Sequence, residues 1–151
     1  MTILAAIGEE RHPKKVLETS AELAARYDSR LVVLHVVPRD DFETHKELLE
    51  GNSELGGFTI DQEAKSAAEF VRLAVENVLG EFDDESIEAR GRVGDPTEEI
   101  LAEAERTDPE FVVIGRPRTS QLEKAVFGSV PQNILENTDY NVVSTVIGSD
   151  G

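Results

Sequence analysis

Gly115 and the pair Gly128-Ser129 are the residues of this chain best suited to holding an anion. They lie in the stretch GRPRTSQLEKAVFGSV, which follows the apolar run Phe111 to Ile114 and leads into PQNILEN. A glycine at a strand end lets the backbone approach a phosphate closely. Where a helix opens, the free amides of Gly128, Ser129 and Val130 would point at an anion, and the helix dipole would favour it. The Ser129 hydroxyl can donate to a phosphate oxygen. It can equally cap its own helix, with Gln132 as capping-box partner, which needs no ligand. Arg116 and Arg118 stand where such a loop usually has small residues. The Arg118 guanidinium can clamp a phosphate as a charged fork, obstruct it, or simply rest in solvent. Arg116 reads as a solvated charge that offsets an acidic surface.

Other chemistry is thinly represented. The chain has no cysteine, which excludes disulfides, thiol catalysis and Cys-zinc sites. His12, His35 and His45 form no metal-binding pair in sequence. His35 lies inside an apolar strand and reads as a packed core histidine; His12 and His45 read as surface residues. Asp95 and Glu98 are explained by helix capping. Asp40 and Asp41 lie near a strand end, but acidic pairs are common in this composition. No Ser-His-Asp set, no separated carboxylate pair and no P-loop Gly-Lys-Ser/Thr rises above that background. The expectation is a chain that is not an enzyme.

Acidic residues outnumber basic ones 31 to 15, a net charge of −16. Such a charge repels a nucleic-acid backbone. It also destabilises a compact chain in dilute salt. One reading is an ordinary acidic protein. The other, favoured here, is a halophilic protein whose salt-rich surroundings screen the repulsion. Lysine is confined to Lys14, Lys15, Lys46, Lys65 and Lys124, and arginine is commoner. The opening MTILAAIGEE has no basic region before its short apolar run, and no segment approaches the roughly 18 apolar residues of a membrane span. The expected location is the cytoplasm, with no membrane contact.

The elements that must position these residues alternate along the chain. Short apolar strands are expected at 2–7, 30–38, 86–93, 110–115 and 141–148. Helices are expected over 12–29, 58–80, 94–108 and 129–138, with Asp95 as a cap, Pro96 at the first helical position and Gly80 as a stop. Residues 39–57 are polar and end in GNSELGG, so a long mobile connection with at most a helical turn is expected there. One domain over 1–151 follows: an α/β fold with an open, doubly wound, five-stranded parallel sheet and helices on both faces. Ligands of such sheets bind beyond the strand carboxyl ends, where strand order reverses.

Three segments together carry a family resemblance: ILAAIGEE, VGDPTEEILAEAERTDPEFVVIG and GRPRTSQLEKAVFGSVPQNIL. The chain resembles the universal stress protein family over essentially its whole length. Members that bind ATP carry Gly-x-x-Gly, nine residues, then Gly-Ser or Gly-Thr. Here Gly115 is the first glycine, nine residues from Thr119 to Phe127 precede Gly128-Ser129, and Arg118 replaces the second glycine. The family's aspartate at the end of the first strand is Gly8 here, which removes an acceptor for the nucleoside sugar. Asn141 stands where the last strand usually begins with proline. The resemblance implies a Rossmann-like, nucleotide-binding α-hydrolase-like fold. It implies a stress-response role and an ATP site drawn from Ala6, Gly8, Val36, Ile114, Gly115, Arg118, Gly128, Ser129 and Val130. It also implies a homodimer joined through the last strand, Asn141 to Gly148, and a protein partner of unknown identity. Phosphate recognition looks better preserved than nucleoside recognition. The alternative is a member of the non-nucleotide-binding branch acting as a dimeric scaffold. A slow nucleotide hydrolase ranks last, for want of a metal carboxylate and a base.

Overall fold

A computed structural model describes residues 1–8, 13–50, 59–117 and 126–147. Five strands form one sheet: β1 (Thr2–Ala6), β2 (Arg30–Pro38), β3 (Ile87–Gly94), β4 (Phe111–Pro117) and β5 (Val142–Ile147). Every pairing is parallel, in the order β3-β2-β1-β4-β5. The helices are α1 (Lys14–Arg26), α2 (Arg39–Glu50), α3 (Ile60–Leu79), α4 (Pro96–Thr107) and α5 (Val126–Asn137). The doubly wound, Rossmann-like fold is therefore as expected.

Alternation along the strands divides the core between two faces, because successive side chains point to opposite sides. Ile3, Ala5, Leu31, Val33 and Val113 pack with Val16, Leu17 and Ala24 of α1 and with Val71 and Val75 of α3. Leu4, Val32, Leu34, Val36, Val112 and Ile114 pack on the other side with Ile100 and Ala104 of α4 and Ile134 of α5. β1 and β2 are buried on both faces, which is why they read as continuous apolar runs rather than alternating ones.

Local chemistry sets the helix ends. Asp95 accepts a hydrogen bond from the Glu98 amide at 3.0 Å, and Pro96 opens α4. Thr59 and Gln62 form a reciprocal capping box on α3, and Gly80 closes that helix at φ +89°. Pro13 takes the cap position of α1, just before its first helical residue.

The expected connection over 39–57 is corrected in its first part. Residues 39–50 form the twelve-residue helix α2, and 51–58 lie outside the described residues. Two contacts hold α2 in place. Phe42 is buried against Val37, Ala67 and Val93. His45 Nδ1 lies 3.2 Å from both carboxylate oxygens of Glu63, which is itself buried on α3. His45 is exposed, as expected, and is also partnered by Glu63. Asp40 and Asp41 fall in the first turn of α2, where the helix dipole favours acids.

Candidate functional site

The sheet order reverses between β1 and β4: the chain passes from β1 outward to β2 and β3, then returns to place β4 on the other side of β1. The crevice beyond the carboxyl ends of β1 and β4 is therefore the place a ligand would enter. Its rim on β1 is firmly set. The Ile7 amide donates to the Leu34 carbonyl at 2.9 Å, which continues the ladder one residue past β1. The Ile7 carbonyl accepts from His35 Nδ1 at 3.0 Å, which requires the proton on Nδ1. The His35 ring packs on Phe70 with centroids 5.0 Å apart. His35 is thus a core histidine, as expected from its strand, and it pins the peptide just before Gly8.

Four of the nine residues expected at the site come together. Ala6, Val36, Ile114 and Val130 all belong to the apolar cluster on the α4–α5 side of the sheet. Val36 and Ile114 are buried, and Ala6 and Val130 are partly so. They form an apolar floor on that side of the sheet. Gly8 follows at the end of β1, and Gly115 pairs with Thr145 near the end of β4. Gly8 offers no side chain to a sugar. Arg118 lies outside the described residues, as do Glu9 and His12.

The opening of α5 differs from the expectation. The helix begins at Val126, so Ser129 sits in its first turn and does not cap it. Gln132 donates instead to the Glu136 carboxylate at 3.0 Å, one turn on along the helix. The first four amides of a helix, counted from its cap, have no partner within it, so Gly128 keeps a free N–H, while Ser129, the fourth helical residue, falls beyond them. Pro131 lies inside the helix and has no N–H to give Phe127. The first turn of α5 is therefore tied to the rest by fewer backbone bonds than a regular helix provides.

Charge is distributed unevenly around this end of the sheet. The dominant ionic cluster lies away from the crevice, where Glu103 on α4, fully buried, meets Arg90 and Arg92 of β3 and Arg106 of its own helix. Arg90 Nε donates to Glu103 at 3.0 Å and Arg92 Nε at 2.7 Å. Arg92 also reaches Glu99 at 2.9 Å. Burial alone would push the Glu103 carboxyl up. Hydrogen bonds from Arg106, Arg90 and Arg92 and the charge of Arg90 outweigh it and hold the carboxyl down at about 2. Sequence reasoning missed this cluster. Its signal was Glu88, Arg90 and Arg92 at every second position of a strand, all on the face that a helix must cover. Among the described residues, no group of three or more His, Asp or Glu is placed to hold a metal ion, and no helix is long and apolar enough to cross a membrane.

The model of the universal stress protein family matches residues 1–144. The chain belongs to the universal stress protein family. Among solved structures, a universal stress protein from Archaeoglobus fulgidus is 20% identical, with a TM-score of 0.61 over 97% of this chain and 98% of its own. The Archaeoglobus fulgidus protein in complex with dAMP is 20% identical, with a TM-score of 0.58 and 97% of each chain covered. A universal stress protein in complex with cAMP is 18% identical, with a TM-score of 0.58 over 97% of this chain and 96% of its own. At these identities the structural likeness establishes the fold. No curated protein matches the chain.

Proposed function

We propose that this universal stress protein is a non-enzymatic stress-response module that binds an adenine nucleotide or a related anion at the crevice between β1 and β4. The observation that carries the proposal is the apolar floor of Ala6, Val36, Ile114 and Val130 at the point where strand order reverses. A base would stack on that floor. The phosphates would extend past Gly115 toward the free amide of Gly128 in the opening turn of α5, with Arg118 as a clamp. Two structural relatives are complexes with cAMP and dAMP, which supports the same ligand class here. Gly8 supplies no carboxylate, so the nucleoside is held less specifically than the phosphates. ATP is the first ligand to try.

Binding becomes a signal only if it favours one state of the protein over another. A homodimer joined through β5 is the assembly proposed to respond. The second reading, a dimeric scaffold without nucleotide, rests on Gly8 alone among the described residues. One experiment separates the two: gel filtration with light scattering, followed by mass spectrometry of whatever the denatured protein releases. The expected result is a dimer carrying an adenine nucleotide. A dimer that carries none, and takes up none when titrated with ATP, cAMP or dAMP, would favour the scaffold.

The net charge of −16 supports a salt-rich cytoplasm as the working environment. Screening removes the mutual repulsion of the acidic surface, so the melting temperature is expected to rise with salt concentration. A melting temperature that stays flat or falls would remove the halophilic reading.

A further inference from the structure

The ladder between the two central strands ends early. The last residues that β1 and β4 pair are Ala5 and Val113. β1 stays in register with β2 as far as Ala6 and Leu34, and β4 with β5 as far as Pro117 and Ile147. Beyond Ala5 and Val113 the facing edges of β1 and β4 part. A backbone group aimed into that gap leaves the ladder behind and needs another partner.

The peptide joining Ile7 to Gly8 has a fixed direction. Its carbonyl accepts from His35 Nδ1 on β2 at 3.0 Å, and the Ile7 amide donates to Leu34, also on β2, at 2.9 Å. The described chain has no cis peptide, so the C=O and N–H of this unit point in opposite directions. The Gly8 amide therefore points away from β2, toward β4 and the gap. The two faces of the sheet refine that direction. His35 alternates with Leu34 and Val36, so its buried ring lies on the α3 side, against Phe70, and draws the carbonyl to that side. The amide at the other end of the peptide tilts to the opposite side, where Ala6, Val36 and Ile114 form the floor. Among the described residues no hydrogen bond is made by the Gly8 amide, and glycine has no side chain to cover it.

From this geometry we infer that His35 is a positioning residue for the nucleoside part of the ligand: it locks the peptide before Gly8 so that the Gly8 amide donates to an acceptor atom of the nucleoside lying beside the apolar floor. The inference rests on the crevice reading above and deepens it. The chain then reads the nucleoside with a fixed backbone donor, where a carboxylate at the same position would act as an acceptor. His35 does this without touching the ligand, by holding the far end of the same peptide.

Heteronuclear NMR and titration calorimetry on the full chain test it, with adenosine, ATP and inorganic tripolyphosphate as probes. Solvent exchange of the Gly8 amide should slow when adenosine or ATP binds and stay unchanged with tripolyphosphate. His35→Leu, which removes the Nδ1 donor, is expected to weaken adenosine and ATP by about fivefold, the scale of one neutral hydrogen bond, and to abolish the protection of Gly8. His35→Asn, whose side-chain amide can set an N–H close to the place of Nδ1, should recover most of both. Val75→Ala, a core deletion on the same side of the sheet, controls for lost stability and should leave adenosine affinity unchanged. Adenosine that binds while Gly8 exchanges as fast as in the free protein overturns the inference and leaves the crevice reading standing. Protection of Gly8 by tripolyphosphate overturns it as well, because the amide would then meet phosphate, and so does an equal loss of adenosine affinity in Val75→Ala. Wild type that binds neither adenosine nor ATP overturns the crevice reading and this inference with it.

Discussion

Glu103→Ala is expected to lower the stability of the folded chain by about 3 kcal/mol at neutral pH, as read by denaturant unfolding. Removing one member of a buried ionic group leaves its partners without a counter-charge, which costs about 3–5 kcal/mol. Here the partners Arg90, Arg92 and Arg106 remain 31%, 23% and 40% exposed, so water relieves part of that cost. The carboxyl offers a second route to the figure. Its descent from 4.5 to about 2 on folding corresponds to roughly 3 kcal/mol by proton linkage. The sign follows from the direction of that shift. The unfolded chain binds the proton more readily than the folded one. The contribution is therefore complete above pH 4.5, shrinks as pH falls toward 2, and is absent below. Stability curves of wild type and Glu103→Gln should accordingly be furthest apart near neutrality and converge in acid. A gap that does not depend on pH would show that the carboxylate's charge is not what matters.

Gly91→Ala should be comparably damaging, by about 2–4 kcal/mol, although it adds a single methyl group. Gly91 faces α3 across a gap that leaves no room for one. A Cβ placed there would lie 2.6 Å from the Ala67 Cβ and 2.7 Å from the Ala68 amide nitrogen, and closer still to the Ala64 carbonyl oxygen. Two of these three atoms are backbone, so no side-chain rotation can relieve the clash. Overpacking of a tight core usually costs about 1–3 kcal/mol and more where the backbone must move. Moving α3 would disturb more than β3. Ala67 also packs against Phe42, Glu63 holds His45, and Phe70 supports His35. A midpoint of denaturation unchanged from wild type would contradict the close approach.

The elements that sequence reasoning located best are those whose burial leaves a plain imprint. β2 is apolar from Leu31 to Val37 because helices cover both its faces, and α4 opens on Asp95-Pro96 because both residues act within one turn. α2 left a fainter imprint. Phe42 is its one deeply buried side chain among those described, so the sequence RDDFETHKELLE looks polar throughout. The spacing of Phe42, His45 and Leu49, with acids at its start, was the available signal. The opening of α5 was misplaced because Gly128-Ser129 resembles a cap, whereas the helix begins one turn earlier. Glu103 was hard to read for a different reason. It sits between Ala102 and Ala104 in a helix with several other acids, and the alternating charges of β3 do not by themselves tell on which of them three guanidinium groups converge. Of the residues that the family resemblance implied for the site, Ala6, Val36 and Ile114 fall in one apolar cluster.

The two rims of the sheet are unlike, and this bears on how copies of the chain can add to one another. β3, at one rim, carries Glu88, Arg90 and Arg92 in alternation, charges that an incoming strand would border. β5, at the other, carries Val142, Val143 and Val146 with no charged residue from 142 to 147. A sheet welcoming at both rims can grow copy upon copy into a fibre. With one rim guarded, growth would have a natural end: the proposed dimer, if joined through β5, would spend the apolar border among the described strands and close about a twofold axis.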